Sequence, residues 1–127
     1  MHPAVRSVLL VARLLLTLVF VPHALGKIVA FDAFAEKFGL PTVLIALLCF
    51  SELAGVVGVL LGGIVREPFA RWMTWLGALS IAVGQVAAVV VVHAPRWFVY
   101  SGGMEFNVVL IGLCLMLVLG HRHRLVL

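Results

Sequence analysis

The chain has 127 residues, of which 65% are hydrophobic and 11% are charged, and its mean hydropathy is +1.26. Soluble domains are roughly half apolar and about a quarter charged, so this composition excludes a water-soluble domain. The formal net charge of +4 does not indicate a nucleic-acid partner, because the basic residues fall near the ends of apolar runs. We therefore expect one integral membrane domain over residues 1–127, with the lipid bilayer as its partner.

The first apolar run, residues 4–25, is long enough for a transmembrane helix, which we place at about 4–26. A cleaved signal peptide is the alternative, because Ala24-Leu25-Gly26 resembles a cleavage site. Arg13 interrupts the apolar core, however, and no polar mature start follows, so we expect the helix to be retained. In residues 30–38 three phenylalanines recur at near-helical spacing among charged residues. That pattern predicts either a short amphipathic helix at the membrane surface or an irregular aromatic-rich loop.

Three further spans are predicted at about residues 41–64, 69–93 and 104–120. Their short connections favour an all-α, integral membrane four-helix antiparallel bundle. Gly55, Gly58 and Gly62 share one helix face, where small residues allow close packing within the bundle or against a second copy. Arginines concentrate at one end of the predicted bundle and charges of mixed sign at the other. This bias predicts that both termini lie in the cytoplasm.

Glu52 lies near the centre of the second span, where a carboxylate is costly unless another group neutralises it. Counting about 1.5 Å per residue along each helix puts Arg13 of the first span at a similar depth. We therefore predict an Arg13–Glu52 ion pair, with Gln85 of the third span taking the remaining hydrogen bonds. Such a pair either fixes the register of the helices or also lines a functional pocket, and the sequence leaves both roles open.

Nearer the outer face, the same count places His23, His93 and Glu105 at similar depths, with Lys27 one turn above His23. Chains of histidine and carboxylate are typical of proton paths and quinone head-group sites, although both histidines also suit capping at the membrane surface. No metal site is predicted, because no local pair has HxxxH or ExxH spacing. The candidate catalytic residues are Glu52, Arg13, Glu105 and His93. The candidate cofactor-binding residues are Arg13, Glu52, Gln85 and His23.

Cys49 and Cys114 are lone cysteines inside apolar runs, and neither belongs to a CxxC motif. Buried single cysteines usually behave as small hydrophobic residues, so this interpretation is preferred to a redox pair.

Four short segments, in this order, are similar to the DoxX family of small bacterial membrane proteins. They are Arg13-Leu14-Leu15-Leu16 with Phe20 and Gly26-Lys27; Glu52-Leu53-Ala54-Gly55 with Gly62 and Arg66; His93 with Phe98; and Gly102-Gly103-Met104-Glu105. Val56 differs from the second glycine of many members. The resemblance spans the chain.

This resemblance implies a four-helix protein of the bacterial inner membrane, associated with thiosulfate:quinone oxidoreductase or with thiol and sulfur redox defence. It implies that Arg13, Glu52, His93 and Glu105 are the functional polar positions. Quinone is then the candidate cofactor, a redox protein is the candidate partner, and the chain is a candidate subunit of a membrane oxidoreductase.

Two other functions stay open. The first is a structural or assembly subunit without its own chemistry. The second is a small proton-coupled transporter, which is disfavoured because such proteins carry an essential carboxylate in their first helix, where this chain has Arg13 and no acid.

Overall fold

The computed structural model describes residues 3–93 and 103–122, without the side chains of residues 92, 93 and 122. The regular elements in this part of the chain are all helical. They are α1 (Pro3–Val29), α2 (Phe31–Phe38), α3 (Thr42–Ile64), α4 (Phe69–Ala88) and α5 (Glu105–Arg122), and α4 continues as a π-helical turn over Val89–His93. Residues 31–38 thus form a helix, α2, and not an irregular loop.

The four longer helices form a closed ring in which α1 packs on α3, α3 on α4, α4 on α5 and α5 on α1. Residues early in one helix contact residues late in the adjacent helix, so adjacent helices are antiparallel. Three spans, Pro3–Val29, Thr42–Ile64 and Phe69–Val91, are long and apolar enough to cross a membrane, and α5 contributes a shorter apolar helix. The predicted all-α membrane bundle is confirmed.

The outward faces of the helices are covered by large apolar side chains. A soluble protein would expose a patch of this size only at an interaction site, whereas lipid tails solvate it without cost. Examples on the four long helices are Leu18, Val43, Leu47, Phe50, Leu76, Val83 and Val109.

The α3–α4 interface is the closest packing in the bundle. A Cβ atom placed on Gly58 would lie 2.9 Å from the Met73 carbonyl oxygen, and one on Gly77 would lie 2.5 Å from the Gly55 carbonyl oxygen. Only glycine leaves room for this backbone-to-backbone contact. The glycine face that includes Gly62 therefore packs against α4 within the bundle. The sequence alone leaves open whether this face packs within the bundle or against a second copy.

The helix α2 covers the end of the bundle where α1 finishes. Gly39 closes α2 in the left-handed conformation, with φ of 62°, and Leu40 N–H donates to the Ala35 carbonyl oxygen at 3.0 Å. Ala35 packs in a small cluster with Ile45 and Cys49 of α3. The first turns of α3 thus extend beyond the end of α1, and α2 lies against them.

Candidate functional site

Buried charges lie on the faces that α1 and α3 turn toward each other. The buried residues of α1 recur every three or four positions, and the two charged ones fall on that same face. They are Leu9, Ala12, Arg13, Leu16, Phe20, Ala24 and Lys27. Glu52 occupies the corresponding face of α3, between buried Cys49 and Gly55. The helical period therefore directs all three charges into the bundle.

Lys27 and Glu52 form an ion pair at the end of the bundle covered by α2. Lys27 Nζ donates to both carboxylate oxygens, at 2.6 and 2.7 Å. The side chains are 5% and 1% exposed, respectively. The Phe34 ring of α2 lies 5.8 Å from Nζ, close enough for a cation–π contact. Both charges are thereby neutralised inside an apolar bundle, where either alone would be strongly unfavourable.

The predicted Arg13–Glu52 pair is wrong, because Glu52 binds Lys27 and Arg13 meets α3 at Val59, two turns farther along. The prediction assumed that the centres of the two apolar runs lie at equal depth. In the structure α1 continues as helix through Pro22 to Val29, and its last turn lies beside the middle of α3. The relative shift along the helix axes is on the order of 10 Å at Arg13.

Arg13 belongs to a second polar cluster, near the opposite end of the bundle. Its guanidinium donates to the Val59 carbonyl oxygen, to Thr74 Oγ1 at 3.0 Å and to His121 Nε2 at 2.5 Å. The side chain crosses α3 at Gly63, where a Cβ atom would lie 3.3 Å from Arg13 Cδ. One arginine thus joins α1, α3, α4 and α5 through directed hydrogen bonds.

His121 is held in one tautomer by this arrangement. A guanidinium has only donors, so Nε2 of His121 must accept, and the ring proton of the neutral imidazole is assigned to Nδ1. Nδ1 in turn lies 3.9 Å from a carboxylate oxygen of Glu67, whose side chain is 46% exposed. A chain of polar groups therefore runs from this end of the bundle to Arg13.

Three further predicted site residues lie on α4, α1 and α5. Gln85 accepts a hydrogen bond from Asn107 Nδ2 at 2.7 Å, which links α4 to α5. His23 is exposed on α1, and Glu105 is half-buried at the start of α5. The prediction for the side chain of His93 lies outside the described residues. Gln85 thus bonds to Asn107 and not to Glu52 as predicted, whereas the polar wall of His23, His93 and Glu105 stays a prediction.

Sequence reasoning missed Lys27, Thr74, His121 and Asn107 as buried polar partners. A usable signal exists for His121, because it continues the three- and four-residue spacing of Leu110, Cys114 and Leu117 on the buried face of α5. Lys27 likewise continues the buried face of α1 beyond Ala24. Both residues lie near helix ends, where charged and polar side chains commonly reach the membrane surface.

The two cysteines lie in different parts of the core. Cys49 packs with Ala35 and Ile45, whereas Cys114 belongs to the main cluster with Leu110 and Leu117. Both are buried free thiols. Within residues 3–93 and 103–122, no three His, Cys, Asp or Glu side chains come together as a metal-binding group.

Three grooves on the outer surface are apolar. One of about 610 Å³ lies between α3 and α4, and two of about 590 and 260 Å³ lie between α1 and α5. None of the three includes Arg13, Glu52 or Gln85. In the groove between α3 and α4, Ser51 Oγ and Ser80 Oγ already donate to carbonyl oxygens at 2.9 and 3.0 Å. These grooves fit hydrocarbon chains and offer no free hydroxyl proton to a quinone carbonyl.

In comparisons with protein-family models, curated proteins and solved structures, the chain matched none of them. The resemblance to DoxX proteins therefore rests on the segments quoted above.

Proposed function

We propose that the chain is a DoxX-like membrane subunit of a redox system, in which a partner protein carries the thiol, sulfur or quinone chemistry. The observation that supports this proposal is the Lys27–Glu52 contact. Two of the segments that resemble the family, Gly26-Lys27 and Glu52-Leu53-Ala54-Gly55, meet there through a buried ion pair. An ionisable group inside a membrane is energetically costly, so its presence indicates a role in function or in assembly.

The contact geometry favours assembly as the role of the buried charges. Glu52 is neutralised through both oxygens by one lysine, and Arg13 ties four helices together. Ion pairs of this kind fix helix register, which a scaffold for a partner requires. The chain would then hold its partner at the bilayer, and the partner would transfer the electrons.

A quinone site inside this chain is the second candidate. The α3–α4 groove, which includes Leu44 and Val83, has the size and lining that suit an isoprenoid tail. The quinone head group fits less well, because the Lys27–Glu52 pair is closed off by its own contacts and by Phe34. Within residues 3–93 and 103–122, the side chains therefore fit the tail and not the head group.

The bacterial inner membrane, with both termini in the cytoplasm, is proposed on the basis of charge. The end of the bundle with the start of α1 carries Arg6, Arg66 and Arg71, whereas α2 at the other end carries two acids and one lysine.

Cysteine variants at Glu67 and Glu36 test the orientation in a chain lacking native cysteines. A membrane-impermeant maleimide applied to intact spheroplasts should label position 36 and not position 67, and the reverse result contradicts it.

Loss of activity in the native host tests the redox assignment. Membranes from a strain lacking the chain should lose thiosulfate- or thiol-dependent reduction of an added short-chain ubiquinone, and the wild-type gene should restore it. Unchanged rates with both electron donors would contradict the proposal.

A charge swap distinguishes an assembly role of the Lys27–Glu52 pair from a chemical role. The double variant Lys27→Glu/Glu52→Lys retains an ion pair of the same two groups. If the pair serves only assembly, folded swapped protein restores the full rate in the deletion strain. A folded variant that restores less than about a tenth of the rate would instead support a chemical role for the pair, since losing a positioned proton donor costs roughly 10²–10⁴-fold.

A further inference from the structure

Arg71, Trp72 and Trp75 form a cluster at the start of α4, called here the Arg71 cluster. Arg71 Cζ lies 5.9 Å from the ring centroids of both tryptophans. The rings meet edge to face, with centroids 6.0 Å apart at 72°. Trp75 is anchored to α5, because its Nε1–H donates to the Val118 carbonyl oxygen at 3.1 Å. The guanidinium thus lies over a fixed aromatic surface.

The donors of the Arg71 cluster are available to a ligand. Within residues 3–93 and 103–122, neither the Arg71 guanidinium nor the Trp72 indole N–H has a protein hydrogen-bond partner, and Arg71 has no ion pair. Trp72 is 52% exposed. Aromatic rings cover the face of a guanidinium and leave its edge N–H groups free, which is the geometry that binds phosphate through two hydrogen bonds.

Among the described residues, positive charge predominates at this end of the bundle. Arg6 at the start of α1 and Arg66 in the α3–α4 connection lie at the same end of the bundle and are exposed. The nearby acid, Glu67, lies toward His121 at 3.9 Å. A surplus of arginines at a membrane surface attracts lipids of net negative charge and disfavours head groups that add a cation.

We propose that the Arg71 cluster binds the phosphate of an anionic phospholipid. Arg71 is the third residue of an apolar span that begins at Phe69, so it lies at the depth of the lipid head groups. Phosphate is the anion that a bilayer presents at this depth, and the tryptophan rings contact the adjoining glycerol and acyl region. This inference does not depend on the redox proposal.

Binding of defined lipids to the purified full-length chain tests the site. Native mass spectrometry measures the apparent dissociation constants for phosphatidylglycerol and phosphatidylcholine in the same detergent. The wild-type chain should bind phosphatidylglycerol roughly five-fold more tightly, and Arg71→Ala should remove that preference. Arg6→Ala is the matched control, because Arg6 is an exposed arginine at the same end with no cation–π contact among the described residues. It should weaken binding less than about two-fold.

Two results would overturn the proposal. One is equal affinity of the wild-type chain for the two lipids. The other is an equal loss in Arg71→Ala and Arg6→Ala, which would mean that diffuse surface charge and not a site attracts the lipid. If Arg71→Ala does not purify in folded form, Trp72→Ala replaces it. That variant should also weaken phosphatidylglycerol binding more than Arg6→Ala does, and an equal effect counts against the site.

Discussion

Removing one member of the Lys27–Glu52 pair should destabilise the bundle, whereas removing both should not. Lys27→Met preserves most of the side-chain length but leaves a carboxylate that is 1% exposed without its cation. Glu52→Leu leaves the buried ammonium in the same position. Breaking a buried pair in this way costs about 3–5 kcal/mol, whereas replacing both members by apolar residues is roughly neutral or stabilising.

Reversible unfolding in mixed detergent micelles, followed by circular dichroism, measures the free energy of unfolding of the four proteins in this double-mutant cycle. The expected coupling energy between Lys27 and Glu52 is at least about 3 kcal/mol. Lys37→Met is the control, because this lysine is exposed on α2 and its loss should change stability by less than about 0.5 kcal/mol. Single-variant effects that add up to the double-variant effect would refute the inference that the two charges neutralise each other inside the bundle.

Three further predictions use the same unfolding measurement. Gly77→Ala should destabilise the protein by about 1–3 kcal/mol, because its Cβ would lie 2.5 Å from a carbonyl oxygen of α3. Gly112→Ala is its control and should be neutral or slightly stabilising, since a Cβ there meets nothing within 4 Å; equal losses would contradict the close α3–α4 contact. Asn107→Ala should cost about 1–3 kcal/mol by leaving the buried Gln85 amide oxygen unsatisfied, and no loss would mean that this bond is absent. Arg13→Lys should also cost about 1–3 kcal/mol, because an ammonium cannot reproduce the planar fork of the guanidinium; a variant as stable as the wild type would contradict the hydrogen bonds from Arg13 to α3, α4 and α5.

The membrane class and the helical bundle follow from composition and from the length of the apolar runs. Those properties depend on each segment separately, so one sequence is enough to predict them. The glycine face of α3 was likewise recognisable, because its spacing is local to one helix. The sequence alone does not decide between helix and loop for the amphipathic segment around Phe34, since eight residues form a stable helix only when tertiary packing supports it.

The polar contacts were not predictable in the same way, because they depend on the relative shift of two helices. Aligning the centres of the apolar runs gave Glu52 the wrong partner. Lys27 lies at the polar end of its run, yet α2 and the protruding turns of α3 bury it. A lysine can extend its aliphatic stem along apolar surface to reach a carboxylate, so position in the run is a poor guide to its depth.

His121 shows the same difficulty at the other end of the bundle. It lies close to the polar tail residues His123 and Arg124, and that proximity would favour an exposed position. Its position on the buried face of α5 was the better guide, and that face brings it to Arg13. Periodicity should therefore outweigh proximity to a terminus when polar residues of short membrane helices are placed.

The partner of Glu52 is the most direct test of the account. Solid-state NMR of the protein in lipid bilayers can measure the dipolar coupling between ¹⁵Nζ of lysine and ¹³Cδ of glutamate, with Lys27→Met as the assignment control. The structure predicts a strong coupling, as expected for Nζ and Oε1 atoms 2.6 Å apart, which disappears in the variant. A coupling from Glu52 to the guanidinium nitrogens of Arg13, with none to Lys27, would contradict the account.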